Sequence, residues 1–249
     1  MLTYLDEKTQ QANVLDERFY TQDNKIFYPS VTTVLNAYPK GAFFEQWLRD
    51  TGNNSKTILR EAGEQGTKVH NAIDDFLKGS PVTWIDDNGN AFFTLKEWQM
   101  INRFMKFFSV VDNTGFLSES IVFDNKLKLG GTMDLVCKIN GETWLIDYKT
   151  SNAIHKTYRM QLAMYKQMFE NQSKMKIDRY GVLWLNAATR TDKPPMQGKG
   201  WQIKEFTKFF EDDFKLFGHT RAIWDEENPD YKPKNLAFPN KFKLTGENE

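Results

Sequence analysis

The spacing of apolar residues changes near the middle of the chain. Up to about residue 111, apolar residues recur at intervals of three or four, which is typical of amphipathic helices. This pattern predicts helices at 31–37, 41–50, 56–78 and 95–111. From residue 116 the period falls to two, which predicts strands at 116–123, 129–139 and 142–149. Downstream, the sequence predicts a helix at 156–170, a continuously apolar strand at 179–185, and a short strand followed by a helix within 202–224.

Polar segments connect and flank these elements. Residues 1–27 are polar, which predicts an irregular segment or a loose hairpin. Ser30 is the predicted N-cap of the first helix. Residues 186–200 predict a loop. Together the elements predict an α/β (α+β) fold in one domain over residues 1–249. We expect a mainly helical part at 1–112, a core of mixed sheet flanked by helices at 113–225, and a polar, partly ordered tail at 226–249.

One hairpin carries the strongest indication of chemistry. Asn140–Gly141 lies between two apolar runs, and this dipeptide favours a two-residue turn because both residues must take positive φ. The resulting register pairs residues whose numbers sum to 281, so Asp134 is predicted to face Asp147, and Thr132 to face Lys149. Side chains alternate along a strand, so Lys149 shares the face of Asp147. Directly opposed carboxylates repel, and a divalent cation between them would relieve that repulsion.

Asp134, Asp147 and Lys149 suit metal-assisted phosphodiester hydrolysis. Carboxylate oxygens bind Mg²⁺ or Mn²⁺, which activates a bound water. A nearby lysine can orient or deprotonate that water, or offset charge that develops on the phosphate. The alternative interpretation is an exposed hairpin whose Asp-x-Lys is only a solvated charge pair.

Two upstream residues are further candidate metal ligands. His70 borders an apolar stripe of its predicted helix, where it would be a third ligand or a structural partner of Asp74, four residues on. Glu119 lies on the preceding strand. If the first turn is Asn125–Lys126, Glu119 opposes Thr132 and lies diagonal to Asp134; otherwise it is a solvent-facing residue.

Other polar and basic residues complete the set of candidates. Gln161 and Tyr165 lie four apart on one helical face, where they can hydrogen-bond a phosphate or the lysine, or simply belong to the core. Basic and aromatic residues hold single strands by neutralising phosphates and stacking on bases. The candidates for such DNA contacts are Lys126, Lys128, Lys156, Arg159 and Trp201.

The composition limits the kinds of partner, metal site and cellular location that we expect for this protein. Lys plus Arg and Asp plus Glu number 33 each, so an anionic partner must be met by a local groove rather than by an overall field. One cysteine, Cys137, excludes a disulfide framework or an all-cysteine metal cluster within this chain. The polar, acidic N-terminus lacks a secretory signal pattern, and no run of 18 apolar residues occurs. We therefore expect a cytoplasmic protein that is not secreted and does not use a membrane.

The order of the motifs resembles a known family. GTKVH, GGTMD, DYKT and QLAMY follow one another as in the PD-(D/E)XK nuclease superfamily, specifically its RecB-like branch. PSVTTVL resembles the opening of the mitochondrial genome maintenance exonuclease group and of related phage proteins. The resemblance implies a restriction-endonuclease-like core with N-terminal helices covering the site. It implies a metal held by His70, Asp134, Asp147 and the main-chain carbonyl of Tyr148, with Glu119 as a further ligand, Lys149 as the catalytic lysine, and Gln161 and Tyr165 in support.

The predicted function is a Mg²⁺- or Mn²⁺-dependent DNA exonuclease that acts on single-stranded or flapped ends in replication, recombination or repair. Two alternatives stay open: a structure- or sequence-specific endonuclease on the same core, and a nucleic-acid-binding module without activity. With one cysteine, we expect no iron-sulfur cluster. No phosphate-binding GxxxxGK[ST] motif occurs, so unwinding would need a helicase partner, and a polymerase or recombination protein is another expected partner. A phage-encoded protein of this kind would act in the host cytoplasm.

Overall fold

The computed structural model describes residues 9–14, 17–23, 25–186 and 201–234. Its strands are β1 (Thr9–Val14), β2 (Glu17–Gln22), β3 (Ile26–Pro29), β4 (Asp112–Asp124), β5 (Leu129–Ile139), β6 (Glu142–Lys149), β7 (Arg179–Trp184) and β8 (Ile203–Glu205). Its helices are α1 (Val31–Leu35), α2 (Ala42–Thr51), α3 (Asn54–Leu77), α4 (Leu95–Phe108), α5 (Lys156–Ser173) and α6 (Phe210–Glu227). Most predicted elements are present, and the bounds of β5 and β6 are those predicted. The predicted loop at 186–200, apart from Asn186, and the tail beyond residue 234 lie outside the described residues.

A five-stranded mixed sheet forms the centre of the molecule, in the order β4-β5-β6-β7-β8. Strands β6 and β7 are parallel, and the other neighbours are antiparallel. Helices cover both faces: α1, α5 and α6 pack on one, and α3 and α4 on the other. Leu145 and Ile146, adjacent in β6, are fully buried in opposite layers. The predicted fold class, a mixed sheet flanked by helices, is confirmed.

The turn at Asn140–Gly141 forms as predicted, with φ values of 51° and 82°. Paired residues of β5 and β6 sum to 281 from Ile139 to Leu135, where the ladder ends. The pairing does not extend to Asp134 and Asp147, or to Thr132 and Lys149, so that part of the prediction is wrong. The reason is a side-chain hydrogen bond: the main-chain N–H of Tyr148 donates to Asp134 Oδ2 at 2.7 Å. Beyond Ile146, β6 pairs with β7 alone, so Asp134 and Asp147 are not cross-strand partners.

The N-terminal segment forms a three-stranded antiparallel sheet in the order β1-β2-β3, so the prediction of an irregular segment or a loose hairpin is wrong. The sheet docks on β5 at Gly130, where an added methyl group would overlap the side chain of Tyr20. At Gly131 a methyl group would overlap the ring of Tyr165 from α5. Successive glycines therefore let two tyrosines approach opposite faces of β5 just before Asp134.

Helix ends follow ordinary capping chemistry. Ser30 caps α1 as predicted, since its Oγ accepts a hydrogen bond from the main-chain N–H of Thr33 at 2.9 Å. Thr94 and Glu97 form a reciprocal capping box at the start of α4. None of the described helices is both long enough and apolar enough to cross a membrane.

Candidate active site

Three side chains from three different elements converge beside the sheet. His70 comes from α3, Glu119 from β4 and Asp134 from β5, and their ligand atoms all lie within 4.8 Å of one another. His70 Nδ1 lies 3.8 Å from Asp134 Oδ2, and its ring hydrogen-bonds the main chain of Tyr148. The alternative partner considered for His70, Asp74, instead binds Lys78, with Nζ 2.5 Å from Oδ2. The structure therefore brings together three of the predicted metal ligands, with the Tyr148 main chain beside them.

Glu119 reaches this group through a local break in β4. From Leu117 to Asp124, residues of β4 pair with residues of β5 whose numbers sum with theirs to 253, which places Thr132 opposite Ile121. The predicted pairing of Glu119 with Thr132 is therefore wrong, because the connection spans 125–128 rather than a two-residue turn. Glu119 is skipped in the ladder and has a φ of 43°, in the left-handed region. It lies level with Asp134, closer to the acidic group than predicted.

Asp147 and Lys149 form a second group next to the first. Asp147 is 2% exposed, and Lys149 Nζ lies 2.7 Å from its Oδ2. Gln161 Nε2 donates a hydrogen bond to Asp147 Oδ1 at 3.2 Å, and Gln161 also hydrogen-bonds Tyr165. The ammonium of Lys149 lies 4.7 Å from the ring centroid of Tyr158. The shared face predicted for Asp147 and Lys149 thus becomes a direct ion pair, held from α5 by Gln161.

The site holds more carboxylates than cations. Burial raises the pKa of Asp147 to about 6, and the charge of Asp134 adds to this while Lys149 opposes it. Burial likewise raises the pKa values of Glu119 and Asp134. Burial disfavours the charged form of Lys149, but Asp147 and Asp134 outweigh it and raise the pKa of the ammonium. Burial and the charge of Lys149 lower the pKa of His70 to about 4, so at neutral pH its imidazole is neutral, as a metal ligand must be.

These residues fit a divalent cation. Asp147 Oδ2 is buried, and its close partner among the described residues is Lys149 Nζ at 2.7 Å. Carboxylate oxygens are hard ligands, and an imidazole completes the donor set. The group that lies within 4.8 Å consists of His70, Glu119 and Asp134; Asp147 adjoins it but is engaged by Lys149 and Gln161.

A polar cleft of about 490 Å³ surrounds both groups. Besides the predicted residues, it is lined by side chains that the sequence analysis did not assign to the site: Gln11, Arg18, Thr32, Thr67, Asn71 and Asp74. Thr67, Asn71 and Asp74 lie four and three residues apart in the helix that carries His70, so they share a face, and this spacing was a usable signal in the sequence. Gln11 and Arg18 gave no local signal, because they reach the cleft only when the N-terminal sheet docks.

The five residues predicted to contact DNA lie elsewhere, since none of them lines this cleft. Lys126 and Lys128 lie in the connection between β4 and β5, and Lys156 begins α5. Trp201 packs edge-to-face on Phe107, with ring centroids 5.4 Å apart. Arg159 is committed to an internal ion pair: its Nε and Nη2 donate to Asp213 at 3.0 and 2.8 Å. That pairing argues against a DNA contact by Arg159.

A mixed sheet with buried acidic residues and a paired lysine at the point where two strands diverge defines a metal-dependent nuclease. The family model of the PD-(D/E)XK nuclease superfamily matches residues 37–230, most of the chain, and the chain belongs to this superfamily. Nucleases of the superfamily use divalent metals and act on DNA. The match includes every residue from His70 to Tyr165 discussed above but not β1–β3 or α1. A search of curated proteins finds no match to the chain.

Proposed function

We propose that the protein is a DNA exonuclease that uses Mg²⁺ or Mn²⁺ and degrades single-stranded or flapped ends during replication, recombination or repair. The observation that carries this proposal is the Lys149–Asp147 ion pair, 2.7 Å long, beside the convergent His70, Glu119 and Asp134. The RecB-like branch and the exonuclease groups named above remain the predicted relatives.

Each residue has a proposed role. His70, Glu119, Asp134 and Asp147, with the main-chain carbonyl of Tyr148, would hold the cation. When bound, the cation supplies Lewis acidity and lowers the pKa of a coordinated water. Lys149, which lies 2.7 Å from Asp147, is placed to orient or deprotonate that water and to offset charge on the phosphate. Gln161 fixes the carboxylate of Asp147, and Tyr165 fixes Gln161.

The shape of the cleft supports a single strand as substrate. Gln11 and Arg18 from the N-terminal sheet form one wall, and Thr67 and Asn71 from α3 form the other. A cavity of about 490 Å³ between these walls is of the size that holds a small ligand such as a nucleotide. A strand with a free end can enter such a cleft without the unpairing that a continuous duplex requires.

A digestion series tests the proposed function. With Mg²⁺ or Mn²⁺, we expect linear and flapped single strands labelled at either end to be degraded, and circular single strands to survive. Chelation by EDTA should stop the reaction, because the carboxylates and the lysine do not activate water by themselves. Products are resolved on denaturing gels. Cutting of the circle would identify an endonuclease, and tight binding without any degradation would identify a non-catalytic module.

Metal binding should also be visible without DNA. A cation that binds only the folded protein at 100 times its dissociation constant stabilises it by about 2.7 kcal/mol. We therefore expect Mn²⁺ or Mg²⁺ to raise the melting temperature of the wild type. Asp134→Asn and Glu119→Gln should remove most of the rise, because each takes one charged ligand from the group within 4.8 Å.

Glu64→Gln is the matched control for this measurement, since Glu64 lies on the exposed surface of α3 in an ion pair with Arg60. Its metal-dependent rise should equal that of the wild type. An undiminished rise in both Asp134→Asn and Glu119→Gln would show that the cation binds elsewhere.

A further inference from the structure

A second polar cleft adjoins the catalytic cleft. It has a volume of about 910 Å³ and lies between the N-terminal sheet, α1 and the end of α6. Arg18 and Thr32 line both clefts and so mark the junction between them. We call this second cavity the Arg18 cleft. A DNA strand that leaves the metal site past Arg18 would therefore pass directly into the Arg18 cleft.

Arg18 is fixed close to the catalytic strand. It alternates with Tyr20 along β2, so the two side chains share a face, and they hydrogen-bond each other. The buried hydroxyl of Tyr20 lies 2.8 Å from Thr132 Oγ1, two residues before Asp134 on the same strand. Tyr20 thus links the guanidinium of Arg18 to β5, the strand that carries Asp134. Arg18 itself remains exposed to solvent.

The charges of the two clefts differ. Asp74, Glu119, Asp134 and Asp147 line the catalytic cleft, which holds Lys149 as an internal counter-charge. In the Arg18 cleft the one carboxylate among the lining residues, Glu17, is paired with Lys234, with 3.1 Å between Oε1 and Nζ. Arg18 is thus a cation at the exit of an acidic site, in the position to receive a phosphate through two parallel hydrogen bonds.

Besides Arg18, Glu17 and the aromatic residues Trp224 and Tyr231, neutral polar residues line the Arg18 cleft. Asn13, Asn36 and Asn228 offer amides that both donate and accept hydrogen bonds, and Thr33 adds a hydroxyl. Such groups suit the edges of unpaired bases, which present donors and acceptors together. Asn13, Arg18, Thr32, Thr33 and Asn36 all precede residue 37, where the match to the family model begins. The cleft is thus built mostly from a part of the chain outside that match.

We propose that the Arg18 cleft binds the nucleotides next to the scissile phosphate of a single-stranded substrate, with Arg18 on the backbone and the asparagine amides on the bases. This inference rests on the proposed function, since it assigns a path to the strand that the nuclease cuts. It makes the N-terminal sheet part of the substrate-binding surface and Arg18 a substrate-positioning residue.

Binding of a fluorescent single-stranded oligonucleotide tests the proposal, with EDTA present to prevent cleavage and anisotropy as the readout. Arg18→Ala should weaken binding about tenfold and lower the slope of log K against log salt by about 0.7, the value for one phosphate contact on a single strand. Arg18→Lys keeps the charge and should retain the slope. Lys138→Ala, which removes an exposed charge at the opposite end of β5, should change neither quantity.

Cross-linking locates the strand independently. The native thiol of Cys137 is fully buried and burial raises its pKa to about 12, so an introduced cysteine can be modified selectively. Asn36→Cys should form a disulfide, by thiol–disulfide exchange, with an oligonucleotide whose tethered thiol near its end is activated as a mixed disulfide, and Lys138→Cys should not. Equal cross-linking of the two variants, or unchanged affinity and slope in Arg18→Ala, would overturn the proposal.

The two proposals fail in different ways. If wild-type protein digests DNA but Arg18→Ala binds as the wild type does, the cleft assignment is wrong and the proposed function stands. If the wild type binds single strands in an Arg18-dependent way but digests none, the proposed function is wrong and only the assignment of the Arg18 cleft as a single-strand binding site stands. Absence of both binding and digestion in the wild type would overturn both.

Discussion

Replacing Lys149 with alanine is expected to slow DNA cleavage by about 10²–10³-fold, the usual cost of removing one preorganised group that stabilises transition-state charge. The ammonium lies 2.7 Å from Asp147 Oδ2 and over the ring of Tyr158, in a pocket that keeps it charged. Its removal takes away the side-chain cation that would offset, together with the metal, the charge that develops on the phosphate. Single-turnover digestion of a labelled linear strand at saturating metal measures the chemical step directly.

Two variants make the Lys149 result interpretable. Lys138→Ala removes an exposed lysine from the far end of β5 and should leave the rate unchanged. Lys149→Arg preserves the charge but not the shape of the ammonium, and we expect it to recover part of the rate. Melting temperatures measured with metal show whether Lys149→Ala is folded under the assay conditions. A folded Lys149→Ala variant that cleaves at the wild-type rate would refute the catalytic role of this residue.

Replacing Arg159 with alanine is expected to lower the free energy of unfolding by about 3–5 kcal/mol, the usual cost of leaving one member of a buried ion pair alone. Asp213 is completely buried, and both its carboxylate oxygens accept hydrogen bonds from Arg159. The guanidinium also lies 3.8 Å from the ring centroid of Phe209. The pair joins α5, which carries Gln161, to α6. Urea denaturation followed by circular dichroism measures the loss.

A double replacement distinguishes the effect of the unpaired charge on stability from the effect of lost side-chain volume. Arg159→Met combined with Asp213→Leu removes both charges, so it should recover most of the stability lost in Arg159→Ala. The exposed pair of Arg60 and Glu64 provides the contrast, because Arg60→Ala should cost less than about 1 kcal/mol. If Arg159 contacted DNA instead, its replacement would weaken oligonucleotide binding and leave the unfolding curve unchanged.

Local signals in the sequence were sufficient to predict the turn and the register of the hairpin formed by β5 and β6. Asn140–Gly141 sets the register of β5 and β6 because a two-residue turn leaves no freedom in the pairing. The point at which the pairing of β5 and β6 ends could not be predicted from these local signals. It depends on a carboxylate, Asp134, that takes the main-chain hydrogen bond of Tyr148 in place of a strand partner.

Features that depend on distant contacts were missed for a common physical reason. Glu119 was placed two residues out of register because no strong turn dipeptide fixed the length of the connection between β4 and β5. Arg159 resembled a surface cation because its partner, Asp213, lies 54 residues away. The strands of the N-terminal sheet are short, and their burial arises only when Tyr20 meets Gly130. In each case the deciding interaction is tertiary.

The two adjacent glycines of β5 have a consequence for how the protein tolerates change. At Gly130 and Gly131 the strand has no side chains of its own. The side chain of Tyr20 packs against it on one face and that of Tyr165 on the other. The segment before residue 37 is therefore not an appendage that the nuclease core could lose without effect. Its removal would uncover one face of the strand that carries Asp134, and the proposed metal site would lose its support along with its wall.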